Sequence, residues 1–321
     1  MIITLTANPS LDRTVELSGP LQRGGVQRAG SASAQAAGKG VNVSTALAAA
    51  GVPTLAVLPG DPNDPVVLGL AERGLDHVAL PVGQPLRSNI TLAEPDGTTT
   101  KVNEPGPVLS PEQQRDLGTA VVSACRGAAW LVLAGSLPPG VPAAFYAELT
   151  VRVRDELGPE APLVALDTSG DPLRAVFAAG RAAAPDLAKP NAEELAELTG
   201  TDEDFEADPA RAAAAAAELV ARGTGAVLAT LGGRGAVLAT AAGAWHGTHP
   251  PVAARSTVGA GDSSLAGYLI AHSAGADAPG CLAQAVAHGA AAVSLPGSTI
   301  PVPEQTTPGA VGVAVLRTTT P

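Results

Sequence analysis

Aromatic side chains are almost missing from this sequence: three Phe, two Tyr and two Trp make up 2% of its 321 residues. Surfaces that stack nucleic-acid bases or sugar rings are built from such side chains, so both are poorly supplied. The core must be filled by Ala, Val and Leu. Cysteine is equally scarce, and Cys125 and Cys281 stand at no metal-ligand spacing. Of the five His, only His246 and His249 fall close together, as a strand and its turn would place them. Basic residues are few: 19 Lys and Arg against 30 Asp and Glu give a net charge of -11. That argues against a nucleic acid or a membrane surface as partner, since either needs a concentrated basic face. No apolar run approaches the ~18 residues of a membrane span. The opening Met1-Ile2-Ile3-Thr4-Leu5-Thr6 has neither the basic start nor the long apolar centre of a secretory signal. A cytoplasmic protein with a substantial core is expected.

Glycine is abundant, at 37 residues, and two glycine turns are followed by helical runs. Ser256-Thr257-Val258-Gly259-Ala260-Gly261-Asp262-Ser263 leads into Ser264-Leu265-Ala266-Gly267-Tyr268-Leu269-Ile270-Ala271, which reads as a buried helix. Glycines one residue apart let the backbone approach a ligand closely. The N–H groups and positive dipole end of the helix favour an anion there. Asp262, in the first turn, is placed to accept a hydroxyl proton as phosphate is transferred; taken alone, a plain N-cap is the simpler reading. The second turn is Ala37-Gly38-Lys39-Gly40-Val41-Asn42, with a helical run to Ala50 and the stop signal Gly51-Val52-Pro53. Lys39 and the local N–H groups suit a substrate phosphate or hydroxyls, and Asn42 can donate to a sugar oxygen. A solvated lysine in a flexible loop explains Lys39 but not the glycines on both sides of it.

A βαβ rhythm surrounds these turns. Ile2 to Thr6 reads as a strand whose turn, Asn8-Pro9-Ser10, presents Asp12 at the ligand-binding edge of an open sheet. Strand-like runs at 54–58, 78–82, 130–134, 163–167 and 185–188 are separated by helical runs at 66–72, 110–125 and 142–157. The polar strands at 13–18 and 26–34, with a hairpin of 87–92 and 98–103 about Asp96-Gly97, predict a small sheet that acts as a lid against water. Arg87 on that hairpin could reach a substrate phosphate as a planar fork; taken alone it reads as a surface charge. Asn191 and Glu194, after Lys189-Pro190, could share one hydrated cation, although capping and a solvated face explain them equally well. The strand, glycine turn and strand from Gly225 to Leu238 leave room for a base or ribose near Thr230 and Gly232, with a tight hairpin as the competing explanation. The Ala-rich helix at 211–221 carries no chemistry. Helices are expected at 281–294 and, last, near 311–316.

Together these pieces resemble the PfkB group of ribokinase-like sugar kinases over almost the whole chain. Residues 37–42 are similar to the first family signature, and 257–262 to the second, which holds the catalytic base. Lys189-Pro190-Asn191 with Glu194 resembles the magnesium and phosphate motif, and residues 230–235 the nucleotide strand-turn. The opening 5–12 and Gly135-Ser136-Leu137-Pro138-Pro139-Gly140 resemble the phosphohexose branch. Lys39 separates the chain from the minor 6-phosphofructokinases. Asn103-Glu104-Pro105-Gly106-Pro107 most resembles 1-phosphofructokinases, and tagatose 6-phosphate kinases share nearly every motif.

The resemblance implies a single ribokinase-like α/β domain over 1–321: a mostly parallel central sheet flanked by helices, with lid strands inserted from about 13–34 and 87–104. It implies an ATP-dependent kinase, acting with Mg2+ on a hydroxyl of a phosphohexose. Fructose 1-phosphate comes first, tagatose 6-phosphate or fructose 6-phosphate otherwise. Asp262 would be the base, beside Gly259, Ala260 and Gly261. Asp12, Gly38, Lys39, Asn42, Arg87, Asn89 and Ser136 would bind the sugar phosphate. Lys189, Asn191, Glu194, Thr230, Gly232 and Gly235 would bind ATP, with Asn191 and Glu194 reaching magnesium through water. A homodimer through the lid strands is implied as well. Residues 58–64 lack a second glycine and Leu86 replaces a Thr, departures that concern sugar selectivity rather than phosphoryl transfer. The rival is a catalytically silent sugar-phosphate sensor, against which the intact Asp262 and the Asn191/Glu194 pair stand, because a sensor is free to lose them.

Overall fold

The computed structural model describes residues 1–316. Its first strand, β1 (Ile2–Leu5), is buried on both faces: Ile3 and Leu5 pack with Leu117 and Val121, whereas Ile2 packs with Val43 and Leu47. Such a strand belongs at the centre of a parallel sheet. The polar strands β2 (Ser10–Leu17) and β3 (Ala29–Ala37) leave that sheet before the chain returns through α1 (Lys39–Ala49), β4 (Thr54–Pro59), α2 (Pro65–Glu72) and β5 (His77–Leu80). A second excursion forms β6 (Arg87–Ala93) and β7 (Thr99–Asn103). These four polar strands make the separate lid sheet, in the order β3-β2-β6-β7.

The chain then alternates α3 (Pro111–Ala124), β8 (Trp130–Ala134), α4 (Phe145–Leu157), β9 (Leu163–Asp167), α5 (Gly170–Ala178) and β10 (Leu187–Ala188). Helix α3 starts at the Ser110/Gln113 capping box with Pro111 in its first turn, as the sequence predicts. After α6 (Ala192–Thr199), α7 (Pro209–Ala221) and β11 (Ala226–Thr230) come the antiparallel strands β12 (Ala236–Thr240) and β13 (Gly243–Thr248). Helices α8 (Ala260–Ser273) and α9 (Ala278–Val293) and strand β14 (Gly312–Leu316) complete the fold. The main sheet runs β14-β13-β12-β11-β10-β9-β8-β1-β4-β5, parallel from β5 to β11 and antiparallel beyond.

Residues 311–316 are therefore not the expected helix. Val311, Val313 and Val315 recur with a period of two, and β-branched side chains at that spacing fit an edge strand, here paired antiparallel to β13.

Helix α1 is fixed on the sheet by a buried hydroxyl chain: Ser44 Oγ lies 2.8 Å from Thr4 Oγ1 and 2.9 Å from Thr54 Oγ1, joining α1 to β1 and β4. Helix α8 is buried along Asp262 to Leu269 and packs closely on α9. A Cβ on Gly267 would stand 2.9 Å from the His288 ring and 2.6 Å from the Gln284 carbonyl.

Candidate active site

The C-terminal ends of the parallel strands deliver the polar groups. Asn8 follows β1, Gly135 follows β8, Asp167 ends β9 and Lys189 follows β10, so the site lies where ligands bind in open α/β sheets. Between these ends, the lid sheet and the first turn of α8 is a cavity of about 390 Å³.

The sequence reads the glycines flanking Lys39 as part of a ligand-binding turn, and packing gives them a further reason. A Cβ on Gly38 would stand 2.6 Å from Thr6 Cγ2, and one on Gly40 would stand 2.9 Å from the Leu5 carbonyl oxygen. Gly38 also has φ +125, a conformation L side chains rarely adopt. The turn thus lies directly on the end of β1, and Lys39 extends from it into the cavity.

Lys39 Nζ is 2.7 Å from Asp167 Oδ1, and Lys189 Nζ is 3.1 Å from Asp167 Oδ2. The Asp167 side chain is 0% exposed and that of Lys189 only 4%. Burial alone would raise the Asp167 carboxyl, but the ammonium groups of Lys189 and Lys39 outweigh it and hold Asp167 below the ordinary carboxylate value. Burial would likewise lower Lys39, and Asp167 and Asp262 reverse that, so the ammonium form is strengthened.

Asp262 is 6% exposed and sits in the first turn of α8, after Gly259 in the left-handed region. Its Oδ2 accepts a 2.7 Å hydrogen bond from Asn42 Nδ2. Burial, reinforced by the negative charge of Asp167, pushes the Asp262 carboxyl up to about 6, against the opposing effects of Lys39, Asn42 and Lys189. A carboxylate raised in this way is a better proton acceptor near neutral pH than an ordinary one.

On the lid side, Asp12 Oδ1 accepts from Ser10 Oγ at 2.8 Å and from Asn89 Nδ2 at 2.9 Å. Arg87 donates to Asn89 Oδ1, to the Asn8 carbonyl and to the Glu104 carbonyl. Burial lowers the Arg87 guanidinium and Asp12 opposes it. The segment after β7 supports this arrangement, since Asn8 Nδ2 donates to the Pro105 carbonyl at 3.1 Å and Ser88 N–H to Glu104 at 2.7 Å.

Asn191 and Glu194 form a reciprocal capping box at the start of α6: Glu194 N–H donates to Asn191 Oδ1, and Asn191 N–H to Glu194 Oε2. Among the described residues no group of three or more His, Cys, Asp or Glu could hold a metal ion. The capping box occupies one Glu194 oxygen, and Asn191 and Glu194 both line the cavity, oxygen donors suited to a hydrated magnesium held mainly by phosphates and water.

The cavity therefore gathers Asp12, Gly38, Lys39, Asn42, Arg87 and Asn89 from the predicted sugar side. From the predicted nucleotide side it gathers Lys189, Asn191, Glu194 and Thr230, with Gly259, Gly261 and Asp262 between them. Four predicted residues do not line it. Ser136 lies just behind, accepting from Asn8 Nδ2 at 3.3 Å, and Ala260 is the first residue of α8. Gly232 and Gly235 bound the tight turn between β11 and β12, both at positive φ, and Gly235 is pressed against the Gly247 carbonyl. Ser10 and Val258 line the cavity without having been singled out. Asp167 escaped notice as well, although an acidic residue closing the apolar run Leu163-Val164-Ala165-Leu166 was a readable signal.

The family model described as pfkB family carbohydrate kinase matches residues 5–305. The chain belongs to the pfkB family of carbohydrate kinases. This pfkB kinase is 36% identical to a 1-phosphofructokinase of Xanthomonas campestris over 273 residues, covering 84% of this chain and 83% of the relative. It is 32% identical to a 1-phosphofructokinase of Rhodobacter capsulatus over 313 residues, covering 95% and 94%. Phosphofructokinase-2 from Escherichia coli, solved in complex with substrates and products, superposes with a TM-score of 0.85 at 29% identity, covering 95% of this chain and 96% of that one. The fold is ribokinase-like, and the pfkB kinase is an ATP-dependent enzyme acting on a sugar phosphate.

Proposed function

We propose that this pfkB kinase transfers the γ-phosphoryl group of ATP to fructose 1-phosphate, giving fructose 1,6-bisphosphate and ADP. The observation that carries the chemistry is Asp262, buried at a helix N-terminus and oriented by Asn42. In the transfer the bond from the γ-phosphorus to the bridging oxygen of ADP breaks and a bond to the sugar hydroxyl oxygen forms. Asp262 takes the hydroxyl proton late, as that bond develops. Asp12, Asn89 and Asn42 orient the sugar hydroxyls; Lys189 and the Gly259 to Gly261 turn hold the ATP phosphates, with the base or ribose near Thr230. Magnesium, held by the phosphates and through water by Glu194 and Asn191, would neutralise charge on the β- and γ-oxygens.

Support for fructose 1-phosphate comes from the two relatives named 1-phosphofructokinase and from the 103–107 segment that braces Arg87 and Asn8. We further propose self-association through the lid, whose edge strands β3 and β7 are open and whose Val102 is exposed. Among the described residues no helix is long and apolar enough to cross a membrane.

The deciding experiment is ADP release with fructose 1-phosphate, tagatose 6-phosphate, fructose 6-phosphate and free fructose. The highest kcat/KM is expected with fructose 1-phosphate. Preference for tagatose 6-phosphate would keep the mechanism and change the substrate, and binding without ADP formation would indicate a sensor.

A further inference from the structure

Lys39 and Lys189 come from separate parts of the chain, one on the first turn of α1 and the other after β10. Both end on the same carboxylate, and that carboxylate has no exposure to water. Lys189 Nζ also stands 3.0 Å from where a Cβ of Gly261 would lie, close to the glycine turn that precedes Asp262. Lys39 Nζ is bound to Asp167, whereas Arg87 donates to the Asn8 and Glu104 carbonyls and to Asn89, which itself donates to Asp12. The two cations that the sequence places together on the sugar's phosphate are therefore held by different partners.

We propose that Lys39 and Lys189 form a two-ammonium clamp on the phosphoryl group in flight, aligned by Asp167 as a positioning residue, and that Arg87 rather than Lys39 holds the phosphate already on the sugar. The proposal deepens the kinase reading above and rests on it. During transfer, negative charge is spread over the three equatorial oxygens of the migrating group, so cations fixed at the acceptor side and the donor side neutralise it together. Lysine is a flexible point charge that would otherwise sample many rotamers, and a buried carboxylate that binds two of them removes that freedom before the substrate arrives. The arrangement is self-enforcing. A buried carboxylate left without its cations is strongly destabilising, so the fold itself keeps both ammonium groups in place.

The test separates binding of the sugar phosphate from turnover. Fructose 1-phosphate is titrated calorimetrically into nucleotide-free wild type, Lys39→Met, Lys39→Arg, Arg87→Met and Asp167→Asn, and kcat is measured for each at saturation. Lys39→Met is expected to lower kcat by ~10²-fold while leaving the Kd for fructose 1-phosphate within about threefold. Arg87→Met is expected to raise that Kd at least about tenfold. Asp167→Asn should follow Lys39→Met, with kcat reduced and Kd unchanged, which a general loss of structure would not produce. Lys39→Arg, which keeps the charge on Asp167, should recover at least about tenfold of the kcat lost in Lys39→Met. A Kd raised tenfold or more by Lys39→Met overturns the proposal, whatever happens to kcat. A wild type that does not bind fructose 1-phosphate rejects the substrate assignment instead, and the same variants are then read with the phosphohexose it does bind.

Discussion

The side-chain amide of Asn42 donates to Asp262 Oδ2 at 2.7 Å, joining two residues 220 positions apart. Each stands in the first turn of a helix that follows a glycine turn, so one bond fixes both helix starts relative to each other. It also orients the carboxylate and favours its ionised form. Asn42→Ala should therefore raise the Asp262 carboxyl above its value in the intact protein and shift the acidic limb of the kcat/KM profile to higher pH. An unshifted limb would mean that the bond does not act on the base.

In the intact protein Asp262 must be ionised to accept a proton, and burial places its carboxyl at about 6. The free-enzyme kcat/KM should thus fall as pH drops through about 6. Asp262→Asn should cost about 10²-fold or more in turnover and abolish that limb; near-wild-type turnover would refute the base assignment.

Stability runs the other way. The folded value lies above the ordinary 3.8, so the native state binds this proton more tightly than the unfolded chain does. The resulting stabilisation is full below 3.8 and lost as pH rises through about 6. Ligand-free Asp262→Asn, which cannot ionise, should therefore gain about 1.4 kcal/mol of stability relative to wild type between pH 5 and pH 8. Equal differences at the two values would contradict the sign.

Gly235→Ala separates a ligand-binding role from a structural one. The position has φ +85 and abuts the Gly247 carbonyl, so the variant should lose at least ~2 kcal/mol of stability. If Gly235 touched ATP instead, the KM for ATP would rise while the melting temperature stayed unchanged.

Both thiols should be silent in the native protein. Burial pushes the thiol of Cys125 up to about 12 and that of Cys281, which Asp277 also raises, up to about 11, so little thiolate exists at pH 8. A thiol reagent should label neither residue before unfolding and both afterwards. Rapid labelling of folded protein would show that one of them is accessible.

Residues that line the cavity were largely legible in the sequence, because glycine turns before helices and polar residues at strand ends have local signatures. Asn42, Arg87 and Asp262 could be picked out in this way. What stayed hidden depends on contacts far apart in the chain. Asp167 acquires its importance only when α1 and the segment after β10 bring two lysines to it. Gly38 and Gly40 looked like ligand-approach glycines, yet they are needed where the turn lies on Thr6 and Leu5. Gly235 reads as a nucleotide contact or a hairpin residue, and its close packing on Gly247 of β13 is not visible in the sequence. The edge strand at 312–316 was misread because five residues carry too little periodicity to separate strand from helix without a partner.

The 220 positions between Asn42 and Asp262 also have a meaning in time. At synthesis rates of roughly 5–20 residues per second, the ribosome needs roughly 10–45 s to travel from one to the other. For most of that interval α1 has been synthesised, but α8, which packs against it, does not yet exist. The nascent chain carries an uncovered apolar helix face and an anion site without its base, so a polypeptide truncated before α8 would be both inert and adhesive.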